Sequence, residues 1–266
     1  GDFHPDNVLG GGGDGDKEAS WYSMVQIAPV VDGGVLLATD YVIQYEATSF
    51  DPVMYLSSDS FALVAAAPRR PAAETLLDLC TGSGVQGIVA AKVGYASHVT
   101  LVDKNPRAVC FARFNTAMSG LGEDRVEIRH GDLYGALAVE EERGQGEATI
   151  PFKEGGSERQ GWEAGRGAGQ TRRRRFDVIL ANPPFVPVPS SLVNLRGRVP
   201  MYGDGGVDGS RVLEGIVRGA QAHMTPGGRL VVVTQFVNVE LEIFQARLER
   251  WWDHERQWLG ETTEKE

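Results

Sequence analysis

A short apolar run, Phe176-Asp177-Val178-Ile179-Leu180-Ala181, stops at Asn182-Pro183-Pro184-Phe185, and this stop constrains the fold more than any other feature. The run reads as a buried strand. Proline has no N–H to donate, so two in succession cannot continue a hydrogen-bonded ladder. The chain must leave the sheet there, with the Asn182 side chain and the next carbonyls at the strand's carboxyl end. In open α/β sheets ligands bind at that edge. A corner with two acceptors and an aromatic face suits a planar NH2 group, either a carboxamide or the amine of a nucleobase. Asn182, Pro183 and Phe185 are therefore the candidate catalytic residues.

About a hundred residues earlier, Leu76-Leu77-Asp78-Leu79 reads as another strand. It runs into Cys80-Thr81-Gly82-Ser83-Gly84-Val85-Gln86-Gly87 and then a helix through Ile88 to Lys92. The glycines let the backbone approach a ligand, and a helix start presents free N–H groups. A strand over Val99–Val102 ends at Asp103, about twenty residues beyond the glycines, where nucleotide-binding folds place a carboxylate on a ribose. Asp78 is placed to accept from a cationic or amino-bearing group. Asp132, closing a third strand over Val126–Ile128, is placed to meet an adenine edge. The glycine spacing alone fits a NAD-dependent oxidoreductase equally well, but hydride transfer does not require the Asn182 corner. One half of the sheet edge is thus expected to hold an adenosine-bearing cofactor, the other an amine or amide.

The remaining pattern sets these motifs in an α/β chain with a doubly wound, mostly parallel sheet. Residues 1–20 are expected to form a flexible tail. Residues 21–70 form a lead-in: a β-hairpin of Met24–Val31 and Val35–Thr39 around Asp32-Gly33-Gly34, then a helix over Ser60–Ala67 capped by Ser58 or Asp59. The main domain covers 71–266. In it, Asn105-Pro106 opens a helix to about Met118, a helix from Val212 continues towards His223, a fifth strand over Arg229–Thr234 follows the turn Pro226-Gly227-Gly228, and a last helix covers Leu241 to about Trp252. Residues 140–175 are read as an inserted mobile loop ending in Arg172-Arg173-Arg174-Arg175, either a solvated cluster or a phosphate-contacting patch.

Composition narrows the function classes. A net charge of −10 over 266 residues argues against a surface devoted to nucleic acid. Two cysteines cannot frame a disulfide scaffold and point to a reducing compartment, so a cytoplasmic location is expected, an organelle being also compatible. No apolar run reaches the eighteen or so residues of a membrane span. The histidines are scattered, and no metal is expected. There is neither a nucleophile elbow nor a lysine-bearing phosphate loop.

Taken together, Leu77-Asp78-Leu79-Cys80-Thr81-Gly82-Ser83-Gly84, Asn182-Pro183-Pro184-Phe185 and Gly205-Gly206-Val207-Asp208-Gly209 resemble the motifs of class I S-adenosylmethionine-dependent methyltransferases of the HemK/PrmC type. Phe185 stands where that family usually has tyrosine, and Leu56–Ser60 replaces its arginine- and proline-bearing segment. The resemblance implies a Rossmann-like fold ending with two further strands, here shortened or absent. It implies S-adenosylmethionine as cofactor, held by Asp78, Thr81, Gly82, Gly84, Asp103, Asp132 and Asn182. It also implies methylation of a planar amino nitrogen, first a protein glutamine amide such as that of a translation release factor. The alternatives are an adenine or guanine amine in RNA and, in a different class, a non-catalytic cofactor-binding partner subunit.

Overall fold

The computed structural model describes residues 25–30, 34–41, 51–137, 173–189, 199–236 and 240–263, with side chains described as far as 253. Strands β1 (Val25–Val30) and β2 (Val35–Asp40) pair antiparallel as the expected hairpin. Turn residues 31–33, the tail at 1–20 and all of the 140–175 segment except 173–175 lie outside the described residues. Helix α1 (Ser58–Ala66) follows. It begins earlier than expected: Ser57, extended at φ −117°, is the cap residue, and Ser58 and Asp59 lie inside the first turn. Asp59 there meets the positive end of the helix dipole.

From β3 (Ala73–Leu79) the chain alternates: α2 (Val85–Val93), β4 (Ala96–Asp103), α3 (Pro106–Met118), β5 (Val126–His130), β6 (Phe176–Ala181), α4 (Arg211–Ala220), β7 (Met224–Val232) and α5 (Leu241–Thr263). The five core strands lie in the order β5-β4-β3-β6-β7, every pair parallel. This is the expected fold class, with the hairpin as a separate two-stranded sheet. Two boundaries differ. Pro226-Gly227-Gly228 does not precede β7 but lies within it: the register jumps from Phe176↔Met224 to Val178↔Arg229, with Gly227 at φ +80°, so the turn is absorbed as a bulge. Helix α5 also continues past Trp252.

Period-two alternation sends neighbouring strand residues to opposite faces. Leu76, Leu101 and Leu180 pack with α1, α2, α3 and the hairpin, whereas Leu77, Leu79 and Ile179 pack towards Ile216 of α4. All seven are fully or almost fully buried, each contributing about 1.5–3 kcal/mol. Covering both faces explains why the strands read as continuous apolar runs rather than alternating ones.

Buried polar groups tie the lead-in to the core. The Asn115 side chain on α3 accepts from Ala38 N (2.7 Å) and donates to Ala38 O (2.9 Å) and Ser83 O (2.8 Å), joining β2 to the glycine loop. Asp40 at the end of β2 takes Arg107 Nε at 2.8 Å and the backbone N–H of Val53 at 2.8 Å.

Gly87 shows how closely α2 is seated. A Cβ there would strike Leu101 and come within 2.9 Å of Val99 and 3.2 Å of Asp78. Alanine normally improves a helix interior by about 1 kcal/mol over glycine. Here Gly87→Ala should instead destabilise the protein by roughly 1–3 kcal/mol in urea unfolding, the cost of overpacking. Unchanged or higher stability would contradict this packing.

Candidate active site

The register Leu79↔Ala181 between β3 and β6 sets the start of the glycine loop beside Asn182. Above these strand tips lies a cleft of about 940 Å³. Thr81, Gly82, Asp103, Asp132 and Asn182 line it, as does Pro184. Asp78, Gly84, Pro183 and Phe185 do not. The candidate residues thus divide into a group facing the cleft and a group holding its walls.

The glycine loop is clamped by carboxylates. Asp103 Oδ2 accepts from Gly82 N and Oδ1 from Asn105 N, both at 2.8 Å. A carboxylate has about four lone-pair sites, so acceptor capacity remains for a hydroxyl-bearing ligand. Burial pushes the Asp103 carboxyl above its ordinary range, against the pull of these N–H donors. Gly82 sits at φ +57° and Gly84 at φ +88°, conformations natural to glycine. Cys80 adopts φ +56° as well, at a cost of about 1–2 kcal/mol. Burial, and then the Asp103 charge, pushes its thiol well above the ordinary cysteine range.

Asp78 lies under the loop. It is fully buried, and its Oδ2 accepts from Thr81 Oγ1 (2.5 Å) and Gly87 N (3.0 Å) while Oδ1 has no partner. It shapes the strand-to-helix turn from below rather than facing the cleft. Asp132 reaches the cleft in an exposed ion pair with Lys104 Nζ at 2.8 Å. Lys104 also lines the cleft, and the sequence reading passed over it although it directly follows Asp103.

On the other half, the chain leaving β6 is held by backbone pairing with the Gly203–Gly206 segment. Val186 N donates to Gly203 O (2.9 Å), Gly205 N to Val186 O (3.0 Å) and Val188 N to Gly206 O (2.7 Å). A Cβ on Gly205 would lie 2.8 Å from the Phe185 carbonyl carbon, and one on Gly209 would strike the Phe185 carbonyl oxygen. These glycines therefore permit the close approach that fixes the corner. Asp208 accepts from Ser210 N (3.0 Å) and Oγ (2.7 Å), bracing the residue that precedes α4. No described residue donates to the Asn182 side chain or the Pro183 carbonyl, which leaves both as open acceptors.

Two segments absent from the sequence reading roof the cleft: 51–54 and 199–202. They meet where Met201 N donates to Asp51 Oδ1 at 3.0 Å, and Asn105 Nδ2 holds the Asp51 carbonyl at 3.0 Å. No periodicity marks such irregular stretches; their only signal was the Asp51-Pro52 punctuation. The arginine run lies elsewhere. Arg173–Arg175 precede β6, at the amino edge of the sheet, about 20 Å from the Asn182 tip. There Arg174 pairs with Glu127 at 2.6 Å and Arg175 donates to Met224 O at 3.2 Å. Among the described residues no group of histidine, cysteine or acidic side chains is placed to hold a metal, and no helix is long and apolar enough to cross a membrane.

Known proteins resemble this chain in sequence and in fold. Residues 57–143 match the family model described as methyltransferase small domain. The chain is 31% identical over 163 residues to a ribosomal protein uL3 glutamine methyltransferase of Bradyrhizobium diazoefficiens, covering 60% of this chain and 40% of that protein. It is 29% identical over 175 residues to a release factor glutamine methyltransferase of Cereibacter sphaeroides, covering 64% and 49%. The chain therefore spans half or less of the length of these relatives. A solved structure of a putative S-adenosylmethionine-dependent methyltransferase from Streptococcus mutans shares the fold, with TM-score 0.54 and 14% identity over 88% of this chain and 47% of that one. The matched domain and the relatives' names support the HemK-type class I methyltransferase resemblance carried by the motifs.

The Asp78 carboxyl gives a pH test. Burial raises its pKa from 3.8 to about 7, against opposing hydrogen bonds from Thr81 and Gly87. The native state then keeps a proton that the unfolded chain releases near pH 4. Stability from this group is therefore full below about pH 4 and falls as pH rises to about 7, by at most about 4 kcal/mol. Asp78→Asn mimics the protonated form and should flatten that part of the stability profile in urea titrations at pH 5 and pH 8. Equal slopes in the two proteins would contradict the assignment.

Proposed function

We propose that this chain, which matches a methyltransferase small domain over residues 57–143 and shares its fold with a solved putative methyltransferase, moves a methyl group from S-adenosylmethionine to a planar amino nitrogen, the side-chain amide of a protein glutamine. The observation that carries this reading is Asn182, an open acceptor lining the cleft at the β6 tip beside the glycine loop; the Pro183 carbonyl, which accepts no hydrogen bond from a described residue, would be the second acceptor once turned towards the cleft. The names of the relatives favour glutamine over other acceptors, and a translation release factor or a ribosomal protein is the class of substrate we assign.

The residues present fit the donor. Gly82 leaves the cleft open, since a Cβ there would first meet Val53 at 4.0 Å, on the opposite wall. Asp103 retains lone pairs for ribose hydroxyls, and Thr81 and Asp132 complete the side of the cleft that would hold the adenosine. Asp78 acts from beneath the loop. Bound there, S-adenosylmethionine supplies an electrophilic methyl group.

An amide delocalises its nitrogen lone pair and is a poor nucleophile. Asn182 and Pro183 would accept both of its N–H hydrogens, fixing the NH2 plane and the direction of the lone pair. Each hydrogen bond contributes only about 1 kcal/mol net. Alignment is the larger effect, worth several kcal/mol when reacting atoms are held in line. Pro184 forms the cleft wall beside the corner, so the stacking role assigned to Phe185 requires its ring to turn into the cleft. No strong base is needed beforehand, because the nitrogen becomes acidic once alkylated. An RNA acceptor draws no support from Arg173–Arg175, which sit at the opposite edge of the sheet.

Incubation with radiolabelled S-adenosylmethionine and separated cell fractions should put label into protein and none into RNA. Asn182→Ala should lower the transfer rate by about 100-fold or more, while calorimetry shows S-adenosylhomocysteine binding within about twofold of wild type. Label in RNA would contradict the substrate class. Unchanged transfer by Asn182→Ala, or binding of NAD in place of S-adenosylhomocysteine, would contradict the activity.

A further inference from the structure

A second cleft, of about 310 Å³, lies beyond the Asn182 corner, between the chain leaving β6 and the tip of β7. Pro187, Leu213, Phe236 and Phe244 supply its apolar walls, with Thr234 and Gln235 along one side. Phe236 stacks on Phe244 at 4.1 Å yet stays 41% exposed, and Val186 and Val207 nearby are 45% and 59% exposed. The last sheet hydrogen bond here is Val233 N to Ala181 O at 3.1 Å. Past it, β6 has turned away at its prolines, and no described backbone group pairs with Thr234 or Gln235. The two charges at the rim neutralise each other: Arg247 Nη1 lies 3.0 Å from Asp208 Oδ2.

The strand order gives this cleft its place. The glycine loop and the carboxylates cover the tips of β3, β4 and β5, the amide acceptors sit on β6, and β7 is next. We infer that the β7 cleft is a subsite for the substrate polypeptide, taking an apolar side chain two residues from the target glutamine. The inference rests on the glutamine reading above. Three observations select this occupant. The cleft adjoins the acceptor corner: its Gly209 lies against the Phe185 carbonyl, and its Pro187 follows two residues on. Its walls are apolar and its rim is charge-compensated, which suits a peptide and not a phosphate backbone. Unpaired backbone groups at Thr234 and Gln235 match the backbone of an extended segment. The spacing also fits: neighbouring strand tips are ~5 Å apart, and same-face side chains of an extended peptide recur at ~7 Å.

The test uses the full chain, tritiated S-adenosylmethionine, and eleven-residue peptides with a central glutamine and Leu, Phe, Ser or Asp two positions to either side. Wild type should methylate the Leu and Phe peptides with a KM at least about tenfold below that of the Ser and Asp peptides on one side of the glutamine. Phe236→Ala should abolish that preference by raising KM for the apolar peptides, with kcat and S-adenosylhomocysteine affinity unchanged, and Phe236→Leu should restore it. Methylation of all peptides alike, or a preference untouched by Phe236→Ala, would overturn the subsite and leave the glutamine reading standing. If no peptide is methylated while RNA is, both fall.

Discussion

Parallel pairing of β3 with β6 is the constraint on which the site depends. These strands are separated by about a hundred residues, yet their register brings Leu79 opposite Ala181. From that pair onward both chains must leave the sheet, one through a glycine turn and the other through consecutive prolines. Two different exits from adjacent strands open the cleft between them. In the proposed reading, one exit would offer backbone and carboxylates to a hydroxyl-rich ligand, and the other would offer two carbonyl-type acceptors to a flat amine.

Holding the exits in place takes buried polar groups rather than more apolar surface. Asp103 bonds the glycine loop and the cap of α3 with its two oxygens. Asp78 supports the same loop from below. Asn115 links it through Ser83 to β2, and Asp40 at the end of β2 fixes the segment that roofs the cleft. On the acceptor side the Gly203–Gly206 segment does the equivalent work through its backbone. The hairpin is therefore no loose appendage: two of its residues reach the site through one intermediary each.

How much of this was legible in the sequence depended on whether a residue acts through its type or through its surroundings. Strands buried on both faces, the Asn105-Pro106 helix start and the proline exit from β6 follow from backbone chemistry, and they were readable. The placement of Asp103, Asp132 and Asn182 on one cleft followed from strand ends alone. Asp78 sits at an equally good strand end, but alternation turns it under the loop, and a side chain's face depends on a register the sequence does not state. The Pro226-Gly227-Gly228 signal was genuine, yet the neighbouring strand absorbed it as a bulge. The roof over 51–54 and 199–202 was invisible, because irregular backbone held by single long-range hydrogen bonds leaves no periodic trace. Composition marked the arginine run, and only topology shows that Arg173–Arg175 lie at the amino edge of the sheet, away from the cleft.

The most direct measurement is a crystal structure of the protein soaked with S-adenosylhomocysteine. The account predicts adenosine between the glycine loop, Asp103 and Asp132, with the sulfur facing Asn182 and the Pro183 carbonyl across a gap of ~5 Å, enough for a methyl group and an in-line nitrogen. A sulfur lodged away from that corner, or no binding in the cleft at all, would contradict it.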